Sequence, residues 1–274
     1  MILVVASNKD IAGLNIRGQV LNHYSFKEIT EKFQGNPIYV SDAKGGIIKL
    51  VTLNEEPVYA QNLTDFFSGL ELVVFISRHS SESGKPTLSV HTPGNFGEAE
   101  LGGMARKVSV SPANAMRDAL KTMARLKSEM ELDYEVSYEA THHGPSLDVP
   151  TMFVELGSSS KQWGDMRAAE AVAHAAMEAV TNFGNSSAKA VLGIGGLHYN
   201  SKFTRMALEN DIAFGHMIPK YAMPSMDEEV LRQSIERTLE KMESVILDWK
   251  GIKGEDKPRL AEMLKNIGML SQKV

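Results

Sequence analysis

The organisation of this chain is clearest in the stretch Leu132-Asp133-Tyr134-Glu135-Val136-Ser137-Tyr138-Glu139-Ala140-Thr141-His142-His143-Gly144-Pro145-Ser146. Its first part contains β-branched and aromatic side chains, which favours a strand. A Gly-Pro turn ends the strand, and two adjacent histidines stand at that turn. Functional residues of α/β proteins lie at strand ends. The stretch therefore predicts a strand of a central sheet with a site at its end.

Other strand-like runs alternate with helical patterns along the chain. The longest helical patterns cover residues 165–183 and 226–249, and capping boxes that begin at Ser25 and Ser225 predict further helix starts. This alternation predicts an α/β fold, a three-layer α/β/α sandwich around a mixed sheet. The remaining predicted strands cover residues 2–6, 38–40, 47–53, 72–77, 87–91, 151–156 and 190–194.

The length and the absence of linkers predict one domain. A chain of 274 residues can bury one large core or two small ones. No repeat or long Pro/Gly/Ser segment divides it. We expect a single α/β domain over residues 1–274, with C-terminal helices from about residue 225 and a hinge at residues 251–258.

Composition excludes several classes of protein. The apolar fraction of 43% and the charged fraction of 23% are those of an ordinary globular protein, and no run approaches the length of a membrane span. Cysteine is absent, so disulfides and thiol nucleophiles are excluded and any zinc must use nitrogen and oxygen ligands. A cytoplasmic protein, with no membrane partner, is the expectation.

A net charge of −5 argues against a generally basic nucleic-acid binder, but one helix is locally basic. Arg117, Lys121 and Arg125 recur every four residues in the helix predicted after Ser111-Pro112. A solvated helix face and a surface that follows nucleic-acid phosphates both fit this spacing. Five further basic residues could extend such a surface: Lys44, Arg78, Lys85, Arg106 and Lys107.

Five histidines follow strand-like runs or glycine turns, namely His79, His91, His142, His143 and His198. One such histidine is most often structural, whereas five together favour a shared site. The short loop between the strands at 72–77 and 87–91 fits a hairpin. A hairpin would place His79 and His91 at opposite ends, on the order of 15 Å apart.

The adjacent histidines can share one metal ion only if the backbone turns between them, since neighbours in a strand point to opposite faces. Gly144-Pro145 makes that turn plausible. Glu155 stands in an otherwise apolar strand a few residues later. It is open whether this carboxylate is a ligand, a general base or a structural ion-pair partner. The spacing matches no metalloprotease signature.

The glycine turn at Gly195-Gly196 lacks a dinucleotide fingerprint, and the chain has no Walker motif, so no nucleotide cofactor is expected. These glycines fit either a backbone that approaches a ligand or tight packing. Asn95 could donate to a carbonyl oxygen or serve its own turn. Neither a thiol nor a serine elbow is present, which leaves an activated water as the nucleophile.

Five ordered motifs together resemble the archaeal and plant type of D-aminoacyl-tRNA deacylase, over about residues 1–224. The segment from Ser225 onward adds little to the match. The motifs are Ser77-Arg78-His79-Ser80, His91-Thr92-Pro93-Gly94-Asn95-Phe96, Thr141-His142-His143-Gly144-Pro145, Phe153-Val154-Glu155-Leu156-Gly157-Ser158 and Gly193-Ile194-Gly195-Gly196-Leu197-His198-Tyr199.

The resemblance implies a phosphorylase/hydrolase-like fold and a zinc-dependent enzyme that cleaves the ester between a D-amino acid and the tRNA 3′ end. The substrate partner would be D-aminoacyl-tRNA and the cofactor Zn²⁺. Apart from the resemblance, we expect a monomer. The motifs do not assign individual zinc ligands. A zinc peptidase or amidase on small amino-acid derivatives, a non-catalytic tRNA-binding protein and, more weakly, a nucleoside phosphorylase remain as alternatives.

Our hypothesis for the site is hydrolysis by an activated water, with roles that can be exchanged among the candidates. Its members are His142, His143 and His198 as metal ligands, Glu155 as base or further ligand, His91 and Asn95 orienting the ester, His79, Gly195, Gly196 and Tyr199 contacting the substrate, and Arg117, Lys121 and Arg125 contacting tRNA.

Overall fold

A mixed sheet of eight strands forms the larger part of the computed structural model, which describes residues 1–43 and 46–274. Lys44 therefore lies outside the described residues. The strand order across this sheet is β2-β3-β4-β1-β5-β8-β6-β7. The strands are β1 (Ile2–Ser7), β2 (Lys27–Phe33), β3 (Asn36–Ala43), β4 (Gly46–Leu53), β5 (Leu72–Arg78), β6 (Thr87–His91), β7 (Glu135–Tyr138) and β8 (Thr151–Gly157).

Four parallel strands form a second, smaller sheet in the order β10-β9-β11-β12. Successive residues of a strand face opposite sides of the sheet, so the two faces of this sheet contribute to two different hydrophobic cores. Val191 and Ile246 join the core shared with the large sheet, whereas Leu192 and Val245 join a separate cluster. The strands are β9 (Lys189–Ile194), β10 (Ile212–Ile218), β11 (Met242–Leu247) and β12 (Ser271–Lys273).

The longer helices cover one face of the large sheet and both faces of the small one, and the short α2 packs on the other face of the large sheet. The alanine-rich α5 packs against α1 and α3 over the large sheet, α3 and α6 contact β10, and α7 and α8 contribute to the opposite cluster. In the part of the chain that the structure describes, no helix is both long and apolar enough to span a bilayer. The helices are α1 (Ile11–His23), α2 (Leu63–Phe66), α3 (Ala113–Glu129), α4 (Ser160–Trp163), α5 (Met166–Thr181), α6 (Ser201–Glu209), α7 (Glu228–Glu236) and α8 (Lys257–Ile267).

The predicted α/β fold with a mixed sheet flanked by helices is confirmed, but two helix predictions are wrong. The segment after Ser25 forms the mostly exposed strand β2, which pairs with β3 instead of starting a helix. The helix predicted over 226–249 ends at Glu236, and β11 follows it because Val245 to Leu247 pair with the buried strand β9. The capping box at Ser225 is also replaced, since Asp227 caps α7.

The predicted hairpin between β5 and β6 is wrong as well. Strand β8 lies between them, parallel to β5 and antiparallel to β6. The register places Ser77 and Ser89 on either side of Glu155. Because β8 lies between β5 and β6, Glu155 stands next to the end of β5 and only two strands away from β7.

Candidate active site

A cavity of about 520 Å³ opens where β5 and β8 meet the loops after β7 and β9. A second cavity, of about 330 Å³, adjoins it, and both are lined by His142, His143 and Leu101. Ionisable and aromatic side chains converge on the larger cavity. They are His79, Glu139, His142, His143, Glu155, His198 and Tyr199.

Glu139 is the residue at the centre of this arrangement, and the sequence analysis did not select it. Its side chain is 0% exposed. The Nε2 atom of His198 donates to its Oε2 at 2.9 Å, and His79 Nδ1 lies 3.2 Å from Oε1. Burial raises the pKa of Glu139, but the hydrogen bonds from His198 and His79 outweigh it and hold the pKa well below its ordinary value. The glutamate is therefore an anion inside the protein.

A signal for Glu139 exists in the sequence. It is a carboxylate near the end of the strand-forming run predicted over residues 132–140, beside an apolar alanine. The same signal identified Glu155. A carboxylate that is buried in a strand needs partners, so its presence marks nearby cations or hydrogen-bond donors.

His91, His142 and His143 form a group whose nitrogen atoms lie within 4.8 Å of one another. His91 Nε2 is 3.3 Å from His143 Nε2, and the rings of His91 and His142 are 4.3 Å apart. Burial is the largest cause that lowers the pKa of each, to about 4 for His143 and well below the ordinary value for the other two. All three are neutral imidazoles near pH 7, which is the form that binds metals.

The backbone turns between the adjacent histidines, as a shared site requires. His143 has φ 40°, in the left-handed region that costs a non-glycine residue about 1 kcal/mol or more. The two rings consequently lie on the same side, with centroids 4.2 Å apart. The strained conformation keeps both imidazoles at the cavity.

His142 takes part in a second group with Glu139 and His198. Its Nε2 atom is 3.8 Å from Glu139 Oε2, which also accepts the bond from His198. The other nitrogen of His198 lies 2.9 Å from the hydroxyl of Tyr221, a residue that the sequence analysis missed. The predicted ligands His142, His143 and His198 are thus adjacent, but they divide between two groups.

Glu155 and His79 form the inner wall of the cavity. Ser77 donates to Glu155 Oε1 at 2.6 Å, and His79 Nδ1 lies 3.6 Å from Oε2. Burial raises the pKa of Glu155 to about 7, although His79 opposes this shift. Burial lowers the pKa of His79, but Glu139 and Glu155 outweigh it and raise the pKa to about 10. Tyr199 accepts a bond from His79 Nε2 at 2.7 Å.

Three of the predicted substrate contacts also have structural roles, and one of them, Asn95, lines the smaller cavity. Both amide hydrogens of Asn95 go to the carbonyl oxygens of Gly102 and Met104 and so hold a loop together. Gly195 and Gly196 have φ 104° and 77°, and a Cβ there would lie 2.7 Å from the Asp248 carbonyl and 2.4 Å from the Asn200 amide. Neither glycine lines the cavities at the histidines. Tight packing requires glycine at both positions, and their contact with substrate stays a prediction.

The model of the D-aminoacyl-tRNA deacylase family matches residues 66–271. The chain belongs to the D-aminoacyl-tRNA deacylase family. It is 40% identical to the D-aminoacyl-tRNA deacylase of Thermococcus kodakarensis over 275 residues, which covers 98% of each chain. It is 34% identical to that of Methanosarcina mazei over 274 residues, which covers 98% of this chain and 90% of the relative. The resemblance given by the five motifs is confirmed.

A crystal structure of a conserved protein of unknown function has a closely similar fold. The TM-score is 0.89 with 29% sequence identity, over 100% of this chain and 95% of that chain. The similarity includes the segment after residue 225, where the motifs of the D-aminoacyl-tRNA deacylase family gave little guidance.

The three basic residues of α3 that were expected to contact tRNA, Arg117, Lys121 and Arg125, do not have the same surroundings in this member of the deacylase family. The guanidinium of Arg117 donates to the carbonyl oxygens of Ala207 and Asn210, and only 11% of its side chain is exposed. Lys121 and Arg125 are exposed on the same helix, and Arg125 pairs with Glu129 at 2.7 Å. Arg117 therefore fastens the end of α6 to α3.

Four described residues could extend this basic surface, namely Arg78, Lys85, Arg106 and Lys107. Each of them forms an ion pair. Arg78 lines the larger cavity, where it pairs with Glu56 at 3.0 Å and lies over the Trp163 ring. The remaining pairs are Lys85 with Glu135, Arg106 with Asp227 and Lys107 with Asp148.

Proposed function

We propose that this chain hydrolyses the ester between a D-amino acid and the 3′ end of tRNA, using a water activated by zinc held in the histidine cluster. Membership of the D-aminoacyl-tRNA deacylase family supports the substrate. The cytoplasm, where tRNA is charged, is the proposed location. The monomeric state and the lack of a nucleotide cofactor remain predictions.

The observation that carries the zinc proposal is the spacing of His91, His142 and His143. Tetrahedral zinc with ligands at 2.0–2.1 Å separates its ligand atoms by about 3.3 Å. The two Nε2 atoms of His91 and His143 are 3.3 Å apart. The three neutral nitrogens all lie within 4.8 Å of one another, and three protein ligands are the number that a catalytic zinc site takes.

Hydrogen bonds already orient two of these imidazoles toward a cation. His142 Nδ1 donates to the Ala140 carbonyl at 2.8 Å, and His143 Nδ1 donates to the Gly144 carbonyl at 2.7 Å. Each bond fixes the tautomer in which Nε2 carries the lone pair. His91 Nδ1, buried, has no hydrogen-bond partner among the described residues. We assign His91, His142 and His143 as ligands, with His198 and Glu139 beside them.

When bound, zinc supplies Lewis acidity toward an ester carbonyl and toward water. Glu155 is the proposed base, because a pKa of about 7 lets Oε2 accept a proton from the attacking water near neutral pH. The His79 cation, hydrogen-bonded to Tyr199 and paired with both glutamates, keeps that carboxylate in place. No covalent intermediate is needed, since an aminoacyl ester is already activated.

The two adjoining cavities offer separate places for the two parts of the substrate. His142 and His143 line both, so an ester carbonyl beside these rings has one cavity on each side. One cavity would take the terminal nucleotide and the other the amino acid. Fixing the amine and the ester leaves one direction for the side chain, which allows a D-amino acid to be distinguished from its L-enantiomer.

The test uses one amino acid in both chiral forms, attached to the same tRNA. The proposal expects fast hydrolysis of the D-ester and little of the L-ester by the wild-type protein. A free D-aminoacyl ester without tRNA should be a poor substrate. Equal rates on both enantiomers would overturn the proposed selectivity, and equal rates on the free ester and the charged tRNA would favour a small-molecule esterase.

A further inference from the structure

We infer that His23, Glu170 and His174 form a second binding site for a divalent transition-metal ion, separate from the proposed active site. One ligand atom from each residue lies within 4.8 Å of the other two. None of the three lines either cavity at the histidine cluster. The inference does not depend on the proposed function.

Both imidazoles face the same carboxylate oxygen without bonding to it closely. His23 Nε2 is 3.5 Å and His174 Nε2 is 3.8 Å from Glu170 Oε1. These separations exceed those of good hydrogen bonds, and they are slightly wider than the edges of about 3.3 Å in a tetrahedral zinc site. Small side-chain rotations would bring all three atoms to a common ion.

The helices place the three residues together independently of any ion. Glu170 and His174 are four residues apart on α5, so they share one face of that helix. His23 is the last residue of α1, which packs along α5. The carboxyl end of α1 carries partial negative charge, which favours a cation there.

Tyr24 orients His174 in the way that metal-binding histidines are usually oriented. The tyrosine hydroxyl lies 2.8 Å from His174 Nδ1 and can accept a hydrogen bond from it. That bond leaves Nε2 unprotonated and directed at Glu170. Burial, then the neighbouring His23, lower the pKa of His174, so the ring is neutral at pH 7. Glu170 opposes this shift, and the nearby Arg125 adds to it. The positive charge of Arg125 is itself paired with Glu129.

Two imidazoles and one carboxylate select a borderline ion such as Zn²⁺, Co²⁺ or Ni²⁺ over Mg²⁺ or Ca²⁺, which take oxygen ligands. The side chains of His23, Glu170 and His174 are 37%, 33% and 30% exposed. An ion at the surface could therefore exchange with solvent and keep a water as its fourth ligand. By joining α1 to α5 it would stabilise the fold.

Equilibrium dialysis against zinc followed by metal analysis tests the site. His174→Ala should bind one zinc equivalent fewer per chain than the wild type. Glu178→Gln, about one turn beyond His174 and two turns beyond Glu170 on α5, is the matched control and should bind as many as the wild type. His143→Ala, in the proposed active site, should leave the zinc at His174 in place, so the two sites are counted separately.

Thermal unfolding provides the second readout and identifies a variant that fails to fold. Zinc should raise the midpoint of His143→Ala protein, and the additional change His174→Ala should abolish that rise. Glu170→Gln should weaken the effect in the same background if His174→Ala does not fold. Equal zinc content in the wild type and the folded His174→Ala or Glu170→Gln variants would overturn the inference.

Discussion

At the scale of single residues, the site depends on a buried anion. Glu139 holds His79 and His198 through its two oxygens and stands 3.8 Å from His142. Removing the charge of a buried, paired carboxylate leaves its partners without compensation. The histidines could be anticipated from their positions after strands, and the sequence also marks Glu139 as a carboxylate in a strand, but it does not show which imidazoles reach that carboxylate.

Glu139→Gln should therefore lower the deacylation rate by about 10² or more, because it removes the charge that orients the two histidines. Initial rates on D-aminoacyl-tRNA, with the folded state checked by thermal unfolding, measure this. Glu135→Gln is the matched control, since Glu135 is exposed at the start of β7, the strand that Glu139 directly follows. A folded Glu139→Gln variant with the control's rate would remove Glu139 from the account.

Glu155→Gln should also reduce turnover by about 10² or more if Oε2 accepts the proton of the attacking water. Glutamine preserves the size of the side chain and can still accept the bond from Ser77. The effect should fall on kcat more than on KM. Near wild-type turnover by the folded variant would show that Glu155 is not the base.

At the scale of elements, apolar periodicity predicted the buried strands of the large sheet and failed at its edge strand β2 and at β11 of the small sheet. β1, β5 and β8 are buried almost throughout, and their apolar runs made them visible. β2 is mostly exposed and polar, so its pairing with β3 outweighs the helix-start pattern at Ser25. β11 has helix-like spacing in its sequence, but its position beside β9 decides its conformation.

The α3 helix allows the tRNA surface to be tested with an internal comparison. If Lys121 and Arg125 contact phosphates, changing both to Ala should weaken tRNA binding and reduce the slope of log K against log salt by about 1 to 2. Binding should be measured at several salt concentrations. An unchanged slope would place the RNA on another surface.

Arg117→Ala on the same helix should instead affect stability. Its guanidinium bonds the carbonyl oxygens of Ala207 and Asn210, and losing such charge-assisted bonds costs about 2 kcal/mol. Urea unfolding should show a lower midpoint, while the salt slope for tRNA stays that of the wild type. A reduced salt slope with unchanged stability would restore Arg117 to the RNA surface.

At the scale of the whole molecule, the two sheets meet near His216, and this residue links folding to pH. The side chain is buried in β10, where Thr141 Oγ1 lies 3.1 Å from Nδ1 and Nε2 donates to the Arg237 carbonyl at 3.2 Å. Burial lowers its pKa from 6.5 to about 4, although the carbonyl bond opposes the shift. The folded protein thus keeps the imidazole neutral where the unfolded chain would protonate it.

Above pH 6.5 the imidazole is neutral in both the folded and the unfolded protein. As the pH falls from 6.5 toward 4, only the unfolded chain takes up the proton, so the free energy of unfolding decreases by about 3 kcal/mol. His216→Gln should be less stable than the wild type at pH 7 but should lose less stability between pH 7 and pH 4.5. Urea unfolding of both proteins across that range measures the difference. Parallel curves would show that His216 does not titrate in this way.

The central claim for the whole molecule is that folding gathers distant imidazoles, His91 from β6 and His142 and His143 from the loop after β7, around one zinc ion that hydrolysis requires. The most direct measurement is the hydrolysis rate of D-aminoacyl-tRNA by protein stripped of metal with a chelator, before and after zinc is restored. We predict loss of activity on stripping and recovery with zinc. Full activity in the verified metal-free protein would contradict the account.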